Sequence, residues 1–181
     1  MARAVGEVVG EAGADWRVGV LTVSDRVAAG SMSDGGGPAL ASWVRAMLHV
    51  EPEAAVSSDG IEPVQAALSL WVRQGLDLVL TTGGTGFAPR DLTPEATCGL
   101  IQRPAPQLLD LARARCLPDK PHAYLSRGVA GVAEQTLLIN LPGSPRGAVD
   151  TLEKIADVLL HALHQLRGTA DPSPPRGTHP R

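Results

Sequence analysis

Where the apolar run "LVLTT" (78–82) ends, the chain turns to Gly83, Gly84, Thr85 and Gly86, and then sets Asp91 just ahead of Thr93, Pro94 and Glu95. Glycines so placed let a backbone adopt left-handed and closely approaching conformations that gather N–H groups into a concave nest. Thr81, Thr82 and Thr85 add hydroxyl donors, and the helix starting at Pro94 would point its free N–H groups and dipole at an anion. The chemistry suggested is phosphate binding. The glycines alone are equally the makings of a tight turn. No Gly-Lys-Ser/Thr follows them, so this is no Walker loop, and the third glycine of the dinucleotide fingerprint is missing.

The acids sharpen the choice. Asp91 reads either as a helix-capping residue or as a ligand for Mg2+, a hard cation that takes carboxylate oxygen beside phosphate oxygen. Such a metal neutralises charge during phosphoryl or nucleotidyl transfer. Asp59, after "AAVSS" (54–58), is a turn residue before Gly60 or a second acid at the same place. Asp34 in "SMSDGGGP" can cap a helix beginning near Pro38, and Asp25-Arg26 reads as a local ion pair of little worth. Arg127 could hold a phosphate in its fork or lie free on the surface. The histidines have no metal-ligand spacing; His161 and His164 fall on the last helix, in solvent or at a subunit contact.

These residues need a scaffold, and the hydrophobic pattern supplies one. "RVGVLTVS" (17–24) and "LDLVLTT" (76–82) read as buried strands, with further candidates at 54–58, "GVAGVA" and "TLLINL". Leu40, Trp43, Val44, Met47 and Leu48 share one helical face, as do Val64, Ala67, Leu68 and Trp71 after Pro63. Further helices are expected from about Pro94, through "QLLDLARARCL", and as one amphipathic helix over about 146–166 that Ser144-Pro145 would start. Alternating strands and helices predict an α/β fold: three α-β-α layers around a mostly parallel central sheet. Ligands in such folds bind beyond the carboxyl ends of the strands. The polar, glycine-rich stretches Ser24 to Pro38, Gly83 to Asp91 and Asn140 to Ser144 should then meet along one edge and form a single pocket.

Residues 16–167 are expected to form one domain between a loose tail at 1–15 and a proline-rich tail at 168–181. With a net charge of −3, no basic surface for nucleic acid or anionic membrane is apparent. No apolar run reaches membrane-spanning length and no secretory leader is visible, so a cytoplasmic protein is expected. Aromatic residues are only 3% of the chain, which leaves aliphatic side chains to build the core. Cys98 and Cys116 read as small buried hydrophobes. Trp16, Trp43 or Trp71 could anchor a subunit interface if exposed.

The segments "TTGGTGFAPRDLTPEA", "VSDRVAAGSMSDGGGPAL", "YLSRGVAGV" and "INLPGSPRG" together resemble the molybdenum-cofactor biosynthesis family of MogA- and MoaB-type proteins, which includes the gephyrin G domain. The resemblance runs in order through residues 17–166. It implies a doubly wound fold, assembly as a homotrimer or hexamer, and Mg2+- and ATP-dependent adenylylation of molybdopterin. Carried over motif by motif, it implies that Asp91 and Asp59 are the acids required for activity and hold Mg2+. It implies nucleotide or pterin contacts for Ser24, Asp34 and Gly37 in the first loop. The second loop would supply Thr82, Gly83, Gly84, Thr85 and Gly86, followed by Thr93, Pro94 and Glu95. Ser126 with Arg127, and Asn140 with Pro142, Gly143 and Ser144, would complete the site. A non-catalytic molybdopterin-binding scaffold is the alternative the same resemblance allows.

Overall fold

Alternation along the strands decides the layers. In β1 (Val18–Val23), Val18 and Val20 point to one side and Leu21 and Val23 to the other; Leu78 and Leu80 oppose Val79 in β3 (Leu78–Thr82) in the same way. A strand apolar on both faces has to be covered on both. The computed structural model, which describes residues 15–116 and 120–169, shows that covering. One face carries α2 (Gly36–Leu48), α5 (Pro106–Cys116), α6 (Pro145–Glu153) and α7 (Ala156–Arg167). The other carries α3 (Ile61–Arg73) and α4 (Thr93–Cys98).

The sheet has six strands in the order β2-β1-β3-β6-β5-β4, with β2 at Glu53–Ser57, β4 at Arg103–Pro104, β5 at Ala130–Ala133 and β6 at Thr136–Leu141. β2, β1, β3 and β6 are mutually parallel. β5 turns back antiparallel on β6, and β4 pairs antiparallel with β5. The parallel set therefore brings four carboxyl ends to one edge.

Three expectations change. The single long helix over 146–166 is two, α6 and α7, parted at Lys154 and Ile155. Ile155 is fully buried and leaves helical geometry at φ −122°, and the bend keeps the apolar faces of both pieces on the same core. The glycine-rich first loop contains a short helix, α1 (Asp25–Ala28), started by Ser24, whose hydroxyl accepts from the Val27 N–H at 3.3 Å. Cys98 is exposed, whereas Cys116 is buried.

All three tryptophans are core residues, so none is exposed in this chain. Trp16 lies beneath the Arg167 guanidinium, 4.1 Å from its ring centroid, with the edge of His164 against it. Arg167 also pairs with Asp77, which binds the first described residues to the last helix. Most of both expected tails, residues 1–14 and 170–181, lies outside the described residues.

Candidate active site at the strand ends

The loops beyond β1, β2, β3 and β6 surround one cavity of about 670 Å3. β1 contributes Thr22, Ser24, Asp25 and, further along, Asp34 and Gly36; β2 contributes Asp59. β3 contributes Thr82, Gly83, Gly84 and Asp91, and β6 contributes Gly143. The expected convergence is what the sheet order produces. Cross-links hold the loops together: the Ser24 N–H donates to the Ser57 carbonyl at 2.9 Å, and the Thr82 hydroxyl donates to the Pro142 carbonyl at 2.7 Å.

The glycine loop turns on two positive-φ residues, Gly83 at 102° and Gly84 at 62°. A methyl on Gly83 would collide with the Val23 carbonyl oxygen, and one on Gly84 with the hydroxyl of buried Thr93. Thr93 Oγ1 itself has no hydrogen-bond partner among the described residues, while the Thr93 N–H donates to the Gly84 carbonyl at 3.1 Å. The amides of Gly84, Thr85 and Gly86 meet no acceptor among the described residues, and of the three only Gly84 lines the cavity.

Asp91 does not cap α4, whose N-cap is Leu92. Its Oδ2 instead accepts the Ala88 N–H at 2.9 Å and folds the loop back so that the carboxylate touches Gly86; a methyl there would lie 2.8 Å from it. Asp59 Oδ2 accepts the Asp25 N–H at 2.8 Å. In both acids Oδ1 has no protein partner among the described residues. Asp34 precedes Gly35, the N-cap of α2, and braces the first turn beside the cavity: Oδ1 accepts the Gly37 N–H at 3.0 Å and Oδ2 the Thr22 hydroxyl at 2.7 Å.

Several expected contact residues support the rim from behind instead of lining it. Asn140 is buried, since its place in β6 opposite Thr81 turns the amide inward to the Thr81 and Thr97 hydroxyls at 3.0 and 2.9 Å. The fork of Arg127 is already filled by the Gly86 carbonyl at 2.7 Å, the Glu95 carboxylate and the Asp91 carbonyl. Its N–H donates to the Thr85 carbonyl, and the Ser126 hydroxyl reaches that of Thr85 at 3.2 Å. Ser144 caps α6 through the Gly147 N–H. Gly37, Thr85, Thr93, Pro94 and Pro142 likewise shape the loops without lining the cavity.

Sequence reading missed several lining residues, Thr22 and Asp25 among them. Thr22 gave no signal apart from its place in a strand. Asp25 was paired with its neighbour Arg26, whereas the fold pairs it with Arg90 at 3.0 Å.

The Arg127 hydrogen bond holds the Glu95 carboxyl below the usual carboxylate range. A carboxylate depressed in this way contributes stability above its unfolded value, near about 4.3, and that contribution disappears as pH falls through the folded value. Glu95→Gln is therefore expected to be less stable than the parent at pH 7, with the gap narrowing as pH drops below about 4.3. Denaturant midpoints across that range measure it, and a gap that does not change with pH would contradict it.

Asp25, Asp34, Asp59 and Asp91 face the cavity with Arg26. A polyphosphate would be repelled there unless a cation came with it. Among the described residues no three His, Cys, Asp or Glu side chains are grouped to hold a metal unaided. Two carboxylates with free oxygens beside the Gly83-Gly84 turn suit Mg2+, which keeps several waters and shares its coordination with substrate phosphates.

Fold and rim together define an α/β protein whose strand-end loops enclose one cavity lined by four aspartates and a glycine turn. Residues 19–161 match a family described as a probable molybdopterin binding domain. The chain is 38% identical to gephyrin of Dictyostelium discoideum over 159 residues, covering 82% of this chain and 22% of that one. It is 39% identical to the molybdopterin adenylyltransferase of Haemophilus influenzae, covering 78% and 73%. The solved structure of a molybdopterin biosynthesis enzyme, MoaB, from Thermus thermophilus superposes with a TM-score of 0.79 at 46% identity, covering 85% and 98%. The chain belongs to this molybdopterin-binding family, and it spans about a quarter or less of the length of gephyrin and of the Drosophila protein cinnamon. No described helix is long and apolar enough to cross a membrane.

Proposed function

We propose that the chain is a molybdopterin adenylyltransferase of molybdenum cofactor synthesis, working in the cytoplasm as a homotrimer. It joins the AMP moiety of ATP to the terminal phosphate of molybdopterin. The observation that carries this reading is the meeting of Asp91, Asp59 and the Gly83-Gly84 turn on one cavity. An oxygen of the molybdopterin phosphate attacks the α-phosphorus of ATP, the bond from that phosphorus to the bridging oxygen breaks, and pyrophosphate leaves with the electron pair. The nucleophile is already ionised, so no strong base is required, and none of the described histidines borders the cavity. Bound Mg2+ would offset the charge that grows on the departing pyrophosphate.

The chain's own groups place the reactants. Asp59 and Asp91 would present their free oxygens to the cation, and the unused Gly84 amide of the glycine loop, on the cavity wall, would receive a phosphate oxygen whose charge rises at the transition state. Arg127 and Ser126 hold that loop from behind. Relatives named as adenylyltransferases across most of the chain support the reading. Incubation with Mg·ATP and molybdopterin should release one pyrophosphate per adenylylated product. Molybdopterin binding without pyrophosphate would instead identify a carrier.

A further inference from the structure

Arg90 stands beside Asp91 in sequence, and the transfer step itself uses neither it nor Asp25. Its guanidinium reaches the Asp25 carboxylate through Nε at 3.0 Å and Nη2 at 3.2 Å, and the same Nη2 lies 3.2 Å from the Asp59 carbonyl. Asp25 and Asp59 are themselves interlocked. The Asp25 N–H donates to Asp59 Oδ2 at 2.8 Å, and the Asp59 N–H donates to Asp25 Oδ1 at 3.1 Å. One arginine thus connects the loops that follow β1, β2 and β3.

We propose that Arg90 is a positioning residue: it straps the loop carrying Asp91 to the Asp25–Asp59 bracket and so fixes the spacing of the two carboxylates that face the divalent cation. The cation is that of the proposed adenylyl transfer, so this role in turnover rests on that reading; the strap itself does not. Stability is a poor explanation for the pair. The side chains of Arg90 and Asp25 are 67% and 41% exposed, and surface ion pairs contribute little. Geometry explains it better, because a forked grip on two carboxylate oxygens and a carbonyl restricts orientation as a single point charge cannot. No other cationic side chain among the described residues pairs with Asp25 or with Asp59, although Arg26 borders the same cavity. Arg127 holds this loop from behind, and Arg90 holds its mouth.

The test is a double-mutant cycle with Arg90→Ala, Asp25→Asn and both together. Asn at 25 keeps an acceptor for the Asp59 N–H and removes only the charge that Arg90 grips. Each single change should lower kcat by about 10- to 100-fold, the scale of a small misplacement of reacting groups, and raise the half-saturating Mg2+ concentration. KM for molybdopterin and the melting temperature should hardly move. The double variant should be no worse than the weaker single, and Arg90→Lys should restore only part of the rate. Hydrogen exchange in the ligand-free protein supplies a readout independent of turnover. The Ala88, Asp91 and Leu92 amides should exchange about tenfold faster in both single variants, with no further gain in the double. Effects that multiply, or unchanged exchange at these amides, would overturn the strap. If the parent releases no pyrophosphate while exchange is still coupled, the adenylyl-transfer reading falls and the strap stands.

Discussion

Asp91→Asn should lower the rate of pyrophosphate release by about 100- to 1,000-fold while leaving the protein folded, on the scale found when one group stabilising transition-state charge is removed. Asparagine is the informative replacement. Asp91 Oδ2 accepts the Ala88 N–H at 2.9 Å, and an amide oxygen can keep that bond. The surrounding loop is also held through the Asp91 carbonyl by Arg127 and through Arg90 by Asp25. What Asn removes is the negative charge, and with it the group proposed to face Mg2+. Molybdopterin binding should persist and the melting temperature should change by no more than a degree or two. Asp91→Ala, which also loses the Ala88 bond, should be equally inactive and somewhat less stable. Full turnover by Asp91→Asn would take the carboxylate out of the chemistry.

Gly83→Ala should be the most damaging change for the fold of the site. At φ 102° an L-residue is strained whatever the space around it, and the added methyl would meet the Val23 carbonyl oxygen. That oxygen belongs to the backbone of the buried strand β1 and cannot rotate aside. Backbone strain and overpacking each cost about 1–3 kcal/mol, so a loss of about 3–5 kcal/mol is expected. For a domain of this size that lowers the melting temperature by about 10 °C or more. Gly30 offers the control, because it has a φ of 68° and nothing within 4 Å of where a methyl would stand. Gly30→Ala should cost only about 1 kcal/mol, since strain acts there alone. Equal melting temperatures for the two variants would mean that the collision with β1 is relieved by some movement of the loop.

How much of this was legible in the sequence depended on how local each feature is. β1, β3 and β6 announce themselves as apolar runs, and their parallel order is enough to place the loops on one edge. The α6–α7 break was hidden because Ile155 continues the apolar series on which a helix is recognised, although its backbone leaves the helix. β4 is two residues, Arg103 and Pro104, and exists only by pairing with β5, so no composition could reveal it. The glycine turn and Asp91 were readable because their chemistry lies within a few residues. Arg90 and Asp25 are 65 positions apart, and only the sheet order brings them together. Asn140 misled for the opposite reason. It sits at the end of a strand in a loop-like motif, yet its register opposite Thr81 sends the amide into the protein.

The most direct measurement of the shared rim replaces Mg2+ with paramagnetic Mn2+ in the presence of a non-hydrolysable ATP analogue and follows amide resonances. Broadening should be strongest at Asp59, Gly83, Gly84 and Asp91, extend to Gly36 and Gly143, and leave Leu78 and Glu53, at the opposite ends of β3 and β2, sharp. Broadening centred on the separate cavity beside Cys98 and Gly128, or none at Asp59 and Asp91, would contradict a cation held between those two carboxylates.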